Sequence, residues 1–417
     1  MTKIKLFKTL LTLVLISCSL FVQGQWKQKN NIWGFSQGIW GGQSFAVDGK
    51  IYFGGGYSGN NTNYNDLQVY DISTDTWAGK NNMPGATNRS GAVTFVINNK
   101  VYLGLGIQDF NSFNIPNWTF LTDLWEYNAS ADSWTQKASA PGIGRGFSGV
   151  FVINNKAYIV GGTTTKLGGG TDEVLEYDPA TDTWTTKASF PEGEIRDQPF
   201  SFSIGDKGYI AGGRTPSGRT NKTYEYNPAT NTWTAKKEMP VAEIAGGVSF
   251  VINGKGYCTW GGIDNGAFNK STFAYSPSAN DWEYVSGGES IRPGRMFGRA
   301  EVVNGIAYLG AGWRIDVTTQ TFYRDFFEFN TQGVLSVNSI NNNEQVVVYP
   351  NPATDKVFIK NAKQGGKYAI YNMFGQQVVT GILSNSLSIN TNSLSAGQYI
   401  IKYTDKASVK QYQVTIQ

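Results

Sequence analysis

Chemistry in this chain would rest on a small set of charged and aromatic side chains, because there is no histidine among the 417 residues. That excludes Ser-His-Asp and Cys-His nucleophilic catalysis and metals held by imidazole. Four arginines recur at one position of a repeated pattern: Arg89, Arg145, Arg196 and Arg295, each eleven residues before an anchor (Lys100, Lys156, Lys207, Ile306). The two remaining copies carry Ile39 and Ile244 there. Guanidinium groups converging from several copies could hold a carboxylate by paired, charge-assisted hydrogen bonds. The alternative is an arginine in each copy that ties down backbone carbonyls. Tyr64, Trp118, Arg214 and Trp313 fall in long connections and add stacking surfaces and one more cation. No metal-ligand cluster and no phosphate-binding glycine loop is present, so neither metal nor cofactor is expected.

These residues need a scaffold that brings distant segments to one place. The repeat supplies it. Phe45 to Lys50, Phe95 to Lys100, Phe151 to Lys156, Phe202 to Lys207, Phe250 to Lys255 and Val302 to Ile306 each read as strand, two-residue Asn/Asp/Gly turn, strand. Glycines close the second strand, as in Gly54-Gly55 and Gly161-Gly162. A third strand and a tryptophan follow, as in Tyr70-Asp71…Trp77 and Tyr177-Asp178…Trp184.

Glycine doublet, Tyr-Asp and Trp at a period near 50 residues resemble the kelch repeat, one blade of a β-propeller. The resemblance implies an all-β, six-bladed kelch propeller over residues 25–332. The last hairpin, at Ile306, lacks a following Trp, whereas Trp26 lacks a preceding hairpin. The Trp26 strand is therefore expected to complete the last blade and close the ring, which removes exposed sheet edges. The loops between second and third strands are long, so their face is the expected binding face.

The ends of the chain are different. Lys3, Lys5 and Lys8 precede an apolar run to Val22, and Val22-Gln23-Gly24 resembles a cleavage site, so residues 1–24 read as a secretory signal peptide cut between Gly24 and Gln25. No later apolar run could span a membrane. Residues 333–345 are a polar linker. Residues 346–417 then carry Tyr-Pro350-Asn351-Pro352, Asn-Met-Phe-Gly375 and Leu-Ser-Ala-Gly397-Gln-Tyr399 among short alternating strands, a small β-sandwich. These motifs resemble the type A sorting domain of the type IX secretion system. The resemblance implies that secretion machinery as partner and a secreted or outer-surface destination. A fibronectin-like adhesion module is the other reading of the sandwich.

The formal charge of +4 divides into +3 for residues 1–24, +4 for residues 340–417 and hence −3 for the body between. A body of that sign with no basic run does not suit nucleic acid. The expected function is binding of an extracellular glycan or protein. A sugar-acting enzyme is the alternative, since kelch propellers include sialic-acid mutarotases. It would need acid–base groups at the channel mouth, where Asp197 and Glu194 flank Arg196. A purely architectural surface component is the third reading.

Overall fold

A computed structural model describes residues 25–417, except 36–37, 59–63, 84–88, 109–117, 166–168, 194, 242, 264–265, 289–290, 317–318, 332–346, 350–352, 361, 363–364, 373–375, 385 and 405–408. The expected signal peptide with Gly24, the expected linker, Pro350, Asn351, Pro352, Gly375 and Glu194 lie outside the described residues. The chain divides into two compact units, Met1–Gln332 and Gly333–Gln417.

The first unit is a β-propeller. Its described residues form six four-stranded antiparallel sheets. Blade 1 runs Gln43–Val47, Lys50–Gly54, Leu67–Asp71, Thr76–Lys80, here strands a to d from the axis outward. Blades 2 to 5 repeat it, with a-strands at Val93–Ile97, Gly149–Ile153, Phe200–Ile204 and Val248–Ile252. Blade 6 takes Arg299–Val303, Ile306–Gly310 and Phe326–Asn330 from the far end and Gln25–Lys29 from the near end. Trp26 pairs with Phe329 and Gln25 with Asn330. Each a-strand touches those of two neighbours, and blade 6 touches blade 1, so the circle is closed.

The repeat residues explain the blade. The a–b turn needs positive φ, supplied by Asp48-Gly49, Asn98-Asn99, Asn154-Asn155 and Asn253-Gly254. Along strand a, alternate residues face the axis while Phe45, Phe95, Phe151, Phe202 and Phe250 point between blades. Each stacks on the Tyr opposite, at 4.9 Å for Phe45 and Tyr52. Several also reach the next blade, as Phe95 does to Tyr177. In strands c and d, Tyr70, Tyr127 and Tyr177 pair with Trp77, Trp134 and Trp184. Their hydroxyls donate to Asp75, Asp132 and Asp182 at 2.6–2.7 Å. The recurring Tyr and Trp are thus core, and the Asp, replaced by Asn231 and Asn280 in blades 4 and 5, is the latch.

The second unit holds seven strands among its described residues, in a three-stranded and a four-stranded sheet. They share one core of Val357, Ile359, Ile370, Ile389, Ile401, Tyr403 and Val414. Tyr399 is buried and donates to the Ser395 carbonyl at 2.8 Å. Gly397 opens its strand on the exposed side. Among the described residues no helix is long and apolar enough to cross a membrane.

Candidate functional site

Just before each a-strand, one residue turns into the left-handed backbone region: Gly41, Gly91, Phe147, Gln198, Gly246 and Phe297, with φ between 53° and 69°. Their amides and carbonyls form a closed circle. Gly91 donates to Gly41, Phe147 to Gly91, Gln198 to Phe147, Gly246 to Gln198 and Phe297 to Gly246, all at 2.7–2.9 Å; Gly41 donates to Phe297 at 3.4 Å. Six bonds, one per blade, fix the rim of the channel on the face of the b–c loops. Glycine suits such a backbone; phenylalanine and glutamine there cost roughly 1–2 kcal/mol each. Leu105, Trp260 and Ala311 take the same left-handed backbone at the ends of their b strands.

The rings of Phe147 and Phe297 meet Trp40. Centroids lie 6.2 Å apart for Trp40 and Phe147, 4.8 Å for Trp40 and Phe297, and 5.3 Å for the two phenylalanines. Glycines make room for them: a Cβ on Gly91 would sit 2.9 Å from the Phe147 ring. Trp313 joins at 6.2 Å from Trp40. Trp118, Phe120 and Phe322 complete a half-buried aromatic cluster around buried Trp40, Tyr57 and Ile107. Beneath the rim lies a cavity of about 220 Å³, lined by Phe147, Gln198, Phe297 and the inner-strand residues Ser44, Thr94, Ser201 and Ser249.

The four repeated arginines are elsewhere. Arg89, Arg145, Arg196 and Arg295 are 0–1% exposed. Arg89 donates through both terminal nitrogens to Asp123, at 2.7 and 2.6 Å, and to the Leu105 carbonyl at 2.7 Å. Arg295 grips Asp325 and the Ala311 carbonyl in the same manner, with Tyr323 3.8 Å beneath it. Arg145 pairs with Glu173. Arg196 bonds the Gly212 carbonyl at 2.8 Å and lies over Phe190. Each guanidinium belts the start of strand a to the b–c connection of its own blade. The expected ring of open guanidiniums at the mouth gives way to four buried cations turned into the scaffold. Burial alone would raise the Asp123 carboxyl, but the Arg89 hydrogen bonds and charge, with Trp125, hold it below its ordinary value.

Among the other candidates, Trp118 and Trp313 join the aromatic mouth. Tyr64 does not; it packs on Phe35 at 5.0 Å in a separate cluster. Arg214 stands on the blade 4 rim with its side chain 41% exposed, clamped to Asp197 by Nε at 3.0 Å and Nη2 at 2.6 Å. Burial pushes the Asp197 carboxyl up from its ordinary value, against those two bonds. Asp197 is thereby occupied as a partner of Arg214, which weakens its case as an acid–base group.

Sequence reasoning missed Trp40, Phe147, Gln198 and Phe297. The signal was present, two residues beyond each predicted arginine register or one beyond Ile39. It also missed Arg299 and Glu301. Glu301 pairs with Tyr308 at the position that holds Phe in the other five blades. It accepts a hydrogen bond from Ser44 of blade 1 at 2.6 Å. Arg299 donates to the Gly42 carbonyl. Burial lifts the Glu301 carboxyl to about 7, opposed by Ser44, Arg299 and the Ala46 amide, and lowers Arg299 to about 10. This charged seam lines the cavity.

Fold and rim together define a kelch-type propeller with an aromatic channel mouth. Residues 51–313 match the Attractin/LZTR1 beta-propeller family, and the chain belongs to it. Residues 347–417 match the secretion system C-terminal sorting domain, which marks the protein for handling by the type IX secretion system. The Kelch-like protein terF of Aspergillus terreus is 28% identical over 121 residues, 28% of this chain and 26% of that relative. The chain thus matches about a quarter of that relative's length. The solved chain described as "Structure of YjhT" is similar in fold, with a TM-score of 0.57 and 18% identity over 69% of this chain and 94% of that one.

Proposed function

We propose that this protein is an exported binding module, its leader removed between Gly24 and Gln25, that takes an extracellular glycan on the b–c face of the propeller. The observation that carries this is the rim: Phe147 and Phe297 are held in a backbone conformation that costs energy and place their rings beside Trp40 and Trp313 over an open cavity. Half-buried aromatic faces offer a platform for sugar rings with little conformational entropy to lose. A protein ligand is the second reading. It is favoured by Trp33, Ile143 and Ile291, 60%, 67% and 48% exposed on loops that lead into a-strands.

A glycan array probed with the purified chain and with Phe297→Gly tests the proposal. Glycine already occupies three of the six rim positions, so the variant keeps the hydrogen-bonded circle and removes one ring of the platform. Binding to a defined set of glycans that falls at least tenfold in the variant is expected. Undiminished binding, or no glycan bound by the parent chain, would overturn the glycan reading.

A further inference from the structure

Around the mouth, six antiparallel residue pairs sit just outside the circle: Trp40 with Tyr57, Ser90 with Ile107, Gly146 with Thr163, Asp197 with Arg214, Ala245 with Gly262, and Met296 with Trp313. Their chemistry is not evenly spread. Blades 1 and 6 contribute Trp40, Tyr57, Met296 and Trp313. Blade 4, across the ring from blade 1, contributes the one charged pair in this set, with Gln198 next to it on the circle.

We infer that the mouth selects a carboxylate-bearing glycan, a sugar ring against Phe297 and Trp313 and a carboxylate on Arg214. This rests on the glycan reading and adds the ligand's charge and orientation to it. The geometry of Arg214 is what distinguishes it from the four repeated arginines. They are buried and bonded to the scaffold; Arg214 has its side chain 41% exposed. Its Nε and Nη2 both donate to Asp197, which is only 3% exposed. Asp197 therefore fixes the plane of the guanidinium. Nη1 makes no hydrogen bond among the described residues, and the Nη1–Nη2 edge is left for a ligand. A guanidinium held in place before binding loses little side-chain freedom when a carboxylate arrives, and its planar fork matches two carboxylate oxygens. The Gln198 side chain lines the cavity beside this pair and can bond sugar hydroxyls.

Trigalacturonate, its methyl ester and a sulfated galactan trimer, titrated into the full chain, test the inference. The ester keeps the ring and removes the charge; the sulfated sugar keeps the charge and changes its shape. Trigalacturonate is expected to bind at least tenfold more tightly than either. That preference should vanish in Asp197→Asn with Arg214→Met, which removes the fork without leaving a buried carboxylate unpaired. Arg214→Lys should restore it only in part. Equal binding of acid and ester, tighter binding of the sulfated sugar, or a preference that survives the double variant would each overturn it. If the ester binds as well as the acid and both weaken in Phe297→Gly, the aromatic mouth stands and only the carboxylate assignment falls. Binding of none of the three, with no glycan retained on the array, overturns both.

Discussion

Arg292 holds its guanidinium 3.7 Å from the centre of the Trp26 ring. Its nitrogens also reach the hydroxyls of Thr259 and Thr272 in blade 5, each at 2.9 Å. The strand Gln25–Lys29 is thus bonded to Phe326–Asn330 on one side and clamped to the neighbouring blade through a buried cation. Trp26 also packs on Phe329, 4.7 Å away.

Ring closure therefore depends on Trp26. Trp26→Ala should lower propeller stability by roughly 3 kcal/mol, the low end for removing a large aromatic, since the ring is only partly buried. It also leaves Arg292 facing a void. Deleting residues 25–30 should do more, because the backbone of Phe326–Asn330 becomes an open edge prone to aggregation. Thermal melts of both variants decide the point; unchanged melting would contradict a structural role for this strand.

The repeated arginines should behave as scaffold. Arg89→Ala strands Asp123, and Arg295→Ala strands Asp325, so each should cost about 3–5 kcal/mol, the usual loss when one partner of a buried pair is removed. Arg214→Lys keeps a cation beside the buried Asp197 carboxylate and should cost less than either. Chemical denaturation of the three variants separates the classes. A small effect at Arg89 and Arg295 would return those side chains to the list of ligand contacts.

The seam between blades 6 and 1 should respond to pH. The Glu301 carboxyl rises from 4.5 in the unfolded chain to about 7 in the fold, so the folded state holds a proton the unfolded chain has released. The neutral group's contribution is fully present below about pH 4.5 and is lost as pH rises through 7. Melting temperatures from pH 4 to 8 should fall more for the parent than for Glu301→Gln. Glu301→Phe, which restores the residue that the other five blades hold at that position, should remove this pH dependence. Parallel pH curves for parent and Glu301→Gln would show that burial of Glu301 is not what sets its proton affinity.

The sequence alone determined the blades. Each is built from contacts within about 50 residues: a turn that needs Asn, Asp or Gly, a Phe on a Tyr, a Tyr beside a Trp. Such local chemistry repeats visibly, and the unmatched Trp26 and Ile306 revealed how the ends meet. The arginine register was equally visible; the direction of the side chains was not. Whether Arg89 faces the channel or Asp123 depends on an acid 34 residues away and on burial, which a register cannot display. The tertiary structure decided the site. Trp40 meets Phe297, and Ser44 meets Glu301, only because the ring returns on itself across some 257 residues. The left-handed backbone of Phe147, Gln198 and Phe297 is imposed by a circle of hydrogen bonds to which every blade contributes one. No local stretch encodes that constraint, because it exists only once all six blades are in place.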